Sequence, residues 1–237
     1  NASYLVLGDQ IRQGLIITKY DHAQGLIPNF EIIEAGHPIP DAHSLTGAGK
    51  ALKMVSSLDE KEDLILFLVS GGGSALFELP QSGLTLEDVM GITDLLLSRG
   101  ADITEMNIVR KHLSQVKGGR FAEACGSTEL YAVVLSDVIG DPLEVIASGP
   151  AFPDPSTSEE AFKVLEKYDI QYSEAVQSAI EKETPKTLRA CESIITGSVT
   201  KLCDAAASVC KALGYPPLIL STEMTGEASA LGRMMAS

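Results

Sequence analysis

A chain of 237 residues, 45% hydrophobic and 21% charged, is long enough for one large α/β domain, or one domain plus part of a second. A formal net charge of −14 argues against nucleic-acid binding, which needs a basic footprint, and no apolar run is long enough to cross a bilayer as a helix. Four scattered cysteines, with no CxxC pair and no histidine at zinc-ligand spacing, fit a reducing cytoplasm, and no signal peptide is visible at the N-terminus. The acidity does not exclude a small anionic ligand, because local cations can oppose the overall field.

In chain order, strands are predicted at residues 14–19, 30–34, 64–70, 130–136, 193–198 and 217–221. Helices are predicted at residues 42–57, 85–99, 103–117, 158–167, 201–213 and 226–236. The continuous apolar run at 64–69 suits a strand buried on both faces. Thr85-Leu86-Glu87-Asp88 reads as a capping-box start, and Arg99-Gly100 as the stop of the same helix. The alternation predicts a Rossmann-like, three-layer α/β sandwich with a mostly parallel sheet. The segment around Thr184-Pro185-Lys186 reads as a linker, so a boundary is expected near residue 188. Residues 1–188 then form the N-terminal domain, and residues 189–237 begin a second α/β domain.

Three segments carry chemistry. Ser70-Gly71-Gly72-Gly73-Ser74 follows the most apolar strand directly. Glycines let backbone N–H groups approach an anion closely, and the serines add hydroxyl donors. The loop matches neither GxxxxGK[ST] nor GxGxxG, and a tight structural turn is the plainer alternative. In the second segment, Asn107, Arg110, Lys111 and Ser114 share one face of a predicted helix. Met106, Val109, Leu113 and Val116 make a neighbouring apolar stripe expected to dock on the sheet. Lys117 sits just before paired glycines, where a long side chain could reach a ligand. Five cations, counting His112, fall between Arg110 and Arg120, against the alternative of a solvated basic helix end. The third segment carries Asp137 and Asp141 at the carboxyl end of a strand, where open α/β sheets keep ligands. Such carboxylates can bind Mg²⁺ or act as a base toward a hydroxyl, or simply shape a turn. The Pro- and Gly-rich stretch 147–157 could line a site or only connect elements. His22 and His43 look exposed, and His37 lies in a stiff turn.

Together, EAGHPIPD (34–41), LVSGGGSAL (68–76), EMNIVRKHLSQVKGG (105–119), VLSDVIGDPLEVIASGP (134–150) and PDPSTS (153–158) resemble, in order and spacing, the glycerate 2-kinase family with its C-terminal MOFRL domain. The resemblance implies ATP- and Mg²⁺-dependent phosphorylation of D-glycerate at the 2-hydroxyl, giving 2-phosphoglycerate. It implies a small-molecule substrate, no nucleic-acid or membrane partner, and room for a homodimer. By analogy, Ser70 to Ser74, with Asn107, Lys111 and Ser114, bind substrate or phosphate. Arg110, Lys117 and Asp137 are the catalytic candidates, and Asp137 with Asp141 the metal candidates. The family's GAGKA motif with its lysine is expected upstream of residue 1, and its MOFRL arginine beyond residue 237. Gly47-Ala48-Gly49-Lys50-Ala51 spells the same letters but falls on a helix, so Lys50 is read as a surface residue. A non-catalytic sugar-phosphate-binding module and an NAD-dependent hydroxypyruvate reductase are the alternatives. The second lacks a dinucleotide fingerprint here.

Overall fold

The structure, a computed structural model, describes residues 2–189 and 191–236. Among them are five strands: β1 (Gly14–Lys19), β2 (Phe30–Ala35), β3 (Leu64–Val69), β4 (Glu129–Leu135) and β5 (Glu192–Gly197). The helices are α1 (Ala2–Leu7), α2 (Ala42–Val55), α3 (Gly73–Leu76), α4 (Leu86–Ser98), α5 (Ile103–His112), α6 (Arg120–Ala124), α7 (Ser158–Lys167), α8 (Glu174–Ile180), α9 (Val199–Ala212) and α10 (Ala228–Ala236). β1 pairs with β2, and β3, β4 and β5 form a second ladder in that order. Every strand pair is parallel; helices carry the chain back between β3 and β4 and between β4 and β5, as the α/β pattern predicts, whereas β1 and β2 are joined by residues 20–29 without a helix.

β3 and β4 run from Leu64 opposite Glu129 to Val69 opposite Val134, which brings their carboxyl ends level. β5 lies beyond the predicted boundary near 188, yet it hydrogen-bonds to β4 and extends the same ladder. The expectation that β3 is buried on both faces is corrected. Ile65, Phe67 and Val69 enter the core, whereas Leu64, Leu66 and Leu68 are 54%, 38% and 55% exposed. The strand period of two separates those sets, and no described helix covers the outer face.

The inner face packs Phe67, Phe77 and Phe121 into a tight aromatic group, with ring centroids 5.0 to 6.1 Å apart. A separate helical core joins α4, α5, α7 and α8 through Leu96, Val109, Leu165 and Ile180, all essentially sealed from water. The stripe Met106, Val109 and Leu113 belongs to this helical core, not to the sheet; only Val116 reaches the sheet core. Capping boxes start α2, α4, α5 and α7, which fixes where the chain enters each helix.

Two predicted elements end differently. α5 stops at His112 rather than at 117, because its next backbone groups bond across to residues 79–81. The Gln81 N–H donates to the Leu113 carbonyl at 2.8 Å and the Gln115 N–H to the Leu79 carbonyl at 2.7 Å. No strand forms at 217–221, where Leu218 and Leu220 are exposed, for a strand needs a neighbour to complete its hydrogen bonds. The described helices are all too short or too polar to cross a membrane.

Candidate functional site

The carboxyl ends of β2, β3 and β4 each feed a loop, and these three loops meet. After β2, Gly36 and His37 enter a turn fixed by Asp41. Its carboxylate accepts the Tyr20 hydroxyl at 2.5 Å and the N–H groups of His43 and Ser44 at 2.9 and 3.1 Å. After β3 comes the glycine loop, with Gly72 in the left-handed region at φ 86° as it caps α3. After β4, Ser136 is held by its N–H to the Gly197 carbonyl at 2.8 Å, and Asp137 follows.

Each glycine of the loop is required by a different neighbour. A Cβ on Gly71 would lie 2.3 Å from Asp137 Oδ2, and one on Gly72 would lie 2.9 Å from the His37 ring. A Cβ on Gly73 would meet the Ala147 methyl at 2.6 Å. The predicted glycine loop and the predicted acidic loop are therefore in direct contact. No backbone carbonyl takes the Gly71 or Gly72 N–H among the described residues, which leaves both donors for a ligand. Asp137 is exposed, and among the described residues its carboxylate has no hydrogen bond or ion pair. Asp141 stands apart from it in a Val138–Asp141 turn, with φ 53°.

The basic segment divides. Half-buried Arg110 turns to the loop, its Nη2 donating to the Ser74 carbonyl at 3.4 Å. Asn107 reaches the same place through Ser148, whose hydroxyl donates to Asn107 Oδ1 at 3.2 Å and lies 3.0 Å from Ser74 Oγ. Lys111 instead pairs with Asp154 at 3.0 Å, with side-chain exposures of 5% and 0%. Ser114 lies past the end of α5, sealed, with its hydroxyl donating to the Leu79 carbonyl at 3.4 Å. Lys117 is 0% exposed; its ammonium donates to the Phe77 carbonyl at 3.1 Å and pairs with buried Glu78. Lys117 thus anchors the segment after α3 and does not face the loop's open side. Lys50 is a surface residue paired with Glu31, as expected.

Asp154 is a second anchor. It accepts Lys111, the Ser156 hydroxyl at 2.8 Å, the Ser156 N–H at 3.1 Å and the Thr184 hydroxyl at 2.9 Å. Burial alone would push its carboxyl upward, but Lys111 and Ser156 outweigh that and hold it below its usual value of 3.8. A carboxyl lowered by folding adds stability above its unfolded pKa and loses it as pH falls through the folded one. Asp154→Asn should cost roughly 1–3 kcal/mol at pH 7 and flatten the acid limb, read as urea midpoints between neutral and acid pH. An acid limb as steep as wild type would show that Asp154 does not set it.

Four contributors escaped sequence reasoning. Glu78 had no signal of its own, Ser148 and Asp154 sat in a stretch that could line a site or only connect elements, with no role given to either, and His37 was read only as part of a turn. The proline that follows His37 and the glycine before it were the available clue to a fixed loop.

A sequence profile for the domain of unknown function DUF4147 matches residues 2–181. A D-glycerate 2-kinase from Thermotoga maritima is 53% identical over 100% of this chain and 56% of its own length. A glycerate 2-kinase from Pyrococcus horikoshii is 42% identical, over 96% of this chain and 53% of its own. The crystal structure of glycerate kinase from Thermotoga maritima superimposes with a TM-score of 0.94 at 53% identity, covering 99% of this chain and 56% of that one. The chain spans about half the length of these relatives. With ordered motifs, shared fold and identity agreeing along its whole length, the chain belongs to the glycerate 2-kinase family, and its residues 2–181 form the DUF4147 domain.

Proposed function

We propose that this chain supplies the β2–β3–β4 face of an ATP-dependent kinase that phosphorylates D-glycerate at its 2-hydroxyl, yielding 2-phosphoglycerate. The observation that carries this reading is the contact between the glycine loop and the Asp137 carboxylate, at Gly71. It puts free backbone donors and an unpaired acid side by side, in a chain 53% identical to a D-glycerate 2-kinase. Phosphoryl transfer is mostly positioning and charge stabilisation, which such a pair can serve.

In this reading the Gly71 and Gly72 N–H groups and the hydroxyls of Ser70 and Ser74 bind phosphate or carboxylate oxygens. Arg110 adds positive charge at the end of the loop, and Asn107 fixes Ser74 through Ser148. Asp137 orients the reacting hydroxyl or a metal ion. Lys111, Ser114 and Lys117 act behind the site, holding its loops from beneath. No group of three or more metal-ligating side chains occurs among the described residues. Mg²⁺ does not need one, because it takes one or two carboxylates and completes its shell with phosphates and water. Asp137 fits that role, with Asp141 as a second candidate four residues on. When bound, Mg²⁺ would neutralise phosphate charge.

The test is ADP release by the full-length protein, followed with and without D-glycerate and with and without Mg²⁺. Release that needs both, with 2-phosphoglycerate as the product by ³¹P NMR, is the expected result. ADP release independent of glycerate, or binding of glycerate without turnover, would overturn it in favour of a binding module.

A further inference from the structure

Directly beneath the glycine loop, residues 147–149 form a turn in an unfavourable conformation. Ala147 has φ 53° and ψ 23°, Ser148 φ 62° and Gly149 φ 63°. Three successive residues lie in the left-handed region, where two of them carry a Cβ that clashes with the following carbonyl. Such strain persists only where surrounding contacts over-determine it, and it concentrates at functional sites. Here the contacts are explicit. The Ser148 carbonyl accepts the Gly118 N–H at 3.0 Å and the Gly149 carbonyl accepts the Gly119 N–H at 2.8 Å. The fully buried Ser148 hydroxyl links Asn107 on α5 to Ser74 in the loop. The Ala147 methyl sits against Gly73, so close that the loop has no space for a side chain there.

We propose that this left-handed turn is a positioning device for the glycine loop, with Ala147 and Ser148 as positioning residues of the reaction. The Ala147 methyl supports Gly73 from below and the Ser74–Ser148–Asn107 hydroxyl–amide chain fixes the loop's exit. The free N–H groups of Gly71 and Gly72 are thereby held in one arrangement before any ligand arrives. Preorganised donors stabilise developing charge without reorganising during the reaction. The turn's strained backbone is what places the methyl and the hydroxyl on the loop together. The inference rests on the proposed function only in taking the glycine loop as the anion-binding element.

The experiment compares Ala147→Gly, Ala147→Asn and Ser148→Ala in the full-length protein. Glycine relaxes the backbone but deletes the supporting methyl, whereas asparagine tolerates the conformation and keeps a Cβ. For Ala147→Gly the urea midpoint should stay at or above wild type. Amide exchange in the 70–76 segment should quicken about tenfold, and glycerate-dependent kcat/KM should fall about tenfold. Ser148→Ala should quicken exchange in the same segment. Ala147→Asn should restore both loop protection and turnover toward wild type. Wild-type exchange in Ala147→Gly, or an asparagine variant as defective as the glycine one, would overturn the proposal. If the wild-type protein shows no glycerate-dependent turnover, the kinase reading falls, while the exchange measurements still decide the turn's role.

Discussion

Asp137→Asn in the full-length protein is expected to lower glycerate-dependent turnover by roughly 10²- to 10⁴-fold, the range for losing a positioned acid–base group. The carboxylate lies against Gly71 and has no internal partner among the described residues, so its removal breaks no structural contact. Stability should therefore shift by no more than about 0.5 kcal/mol, as for an ordinary surface substitution. Asparagine keeps the size but cannot accept a proton or carry the charge that a cation needs. Steady-state kinetics paired with urea denaturation separate the outcomes. Full turnover in the variant would remove Asp137 from the chemistry, and a matching loss of stability would make it structural.

The second large effect concerns stability. Removing Glu78 by substitution with alanine should cost about 3–5 kcal/mol, because it strands a fully buried lysine charge. Lys117→Met should cost a similar amount for the mirror reason, and Glu78→Met combined with Lys117→Met should recover much of the loss. Burial is the main influence on the Lys117 ammonium and pushes it down to about 8 from its usual 10.5, although Glu78 pulls the other way. Between those values the unfolded chain holds a proton that the folded chain has released, so this group makes stability rise with pH across that interval. In Glu78→Ala the counterweight is gone and the rise should begin at lower pH. Urea midpoints measured from pH 6 to pH 10 test both statements. Additive single losses, or stability that falls across the interval, would show that the pair is not a buried, coupled unit.

Much of the fold was legible because its signals are local. Five of the six predicted strands and all six predicted helices occur, since apolar period, capping residues and glycine stops act within a few residues of themselves. Asp41, Thr85, Asp102 and Thr157 each cap a helix in this way. What failed had a non-local cause. Residues 217–221 have a strand's composition but pair with no strand among the described residues. The periodic stretch after His112 looks helical until residues 79–81 compete for its backbone. α8 was too short for its period to stand out from its surroundings.

The candidate site divides along the same line. From sequence, the glycine loop, the Asp137 loop and the basic segment could be singled out, because glycine runs, strand-end acids and clustered cations advertise themselves. Helical spacing put Arg110 and Lys111 on one face, but it could not say that Arg110 meets the Ser74 carbonyl while Lys111 meets Asp154. Adjacent residues on a helix are rotated by about a quarter turn or more, so small differences in packing send neighbouring cations to different partners.

By itself the sequence determined an α/β chain with parallel-strand alternation, an anion-suited loop and an acid at a strand end. Only the tertiary structure decided which of these meet: Gly71 with Asp137, Gly72 with His37, Gly73 with Ala147, and Lys117 with Glu78. Lys117 joins Glu78 across 39 residues and Lys111 joins Asp154 across 43, distances along the chain at which no periodicity or cap carries information. Sequence patterns report the free energy of local turns and faces, whereas a site is made by the packing of parallel strands that levels their carboxyl ends.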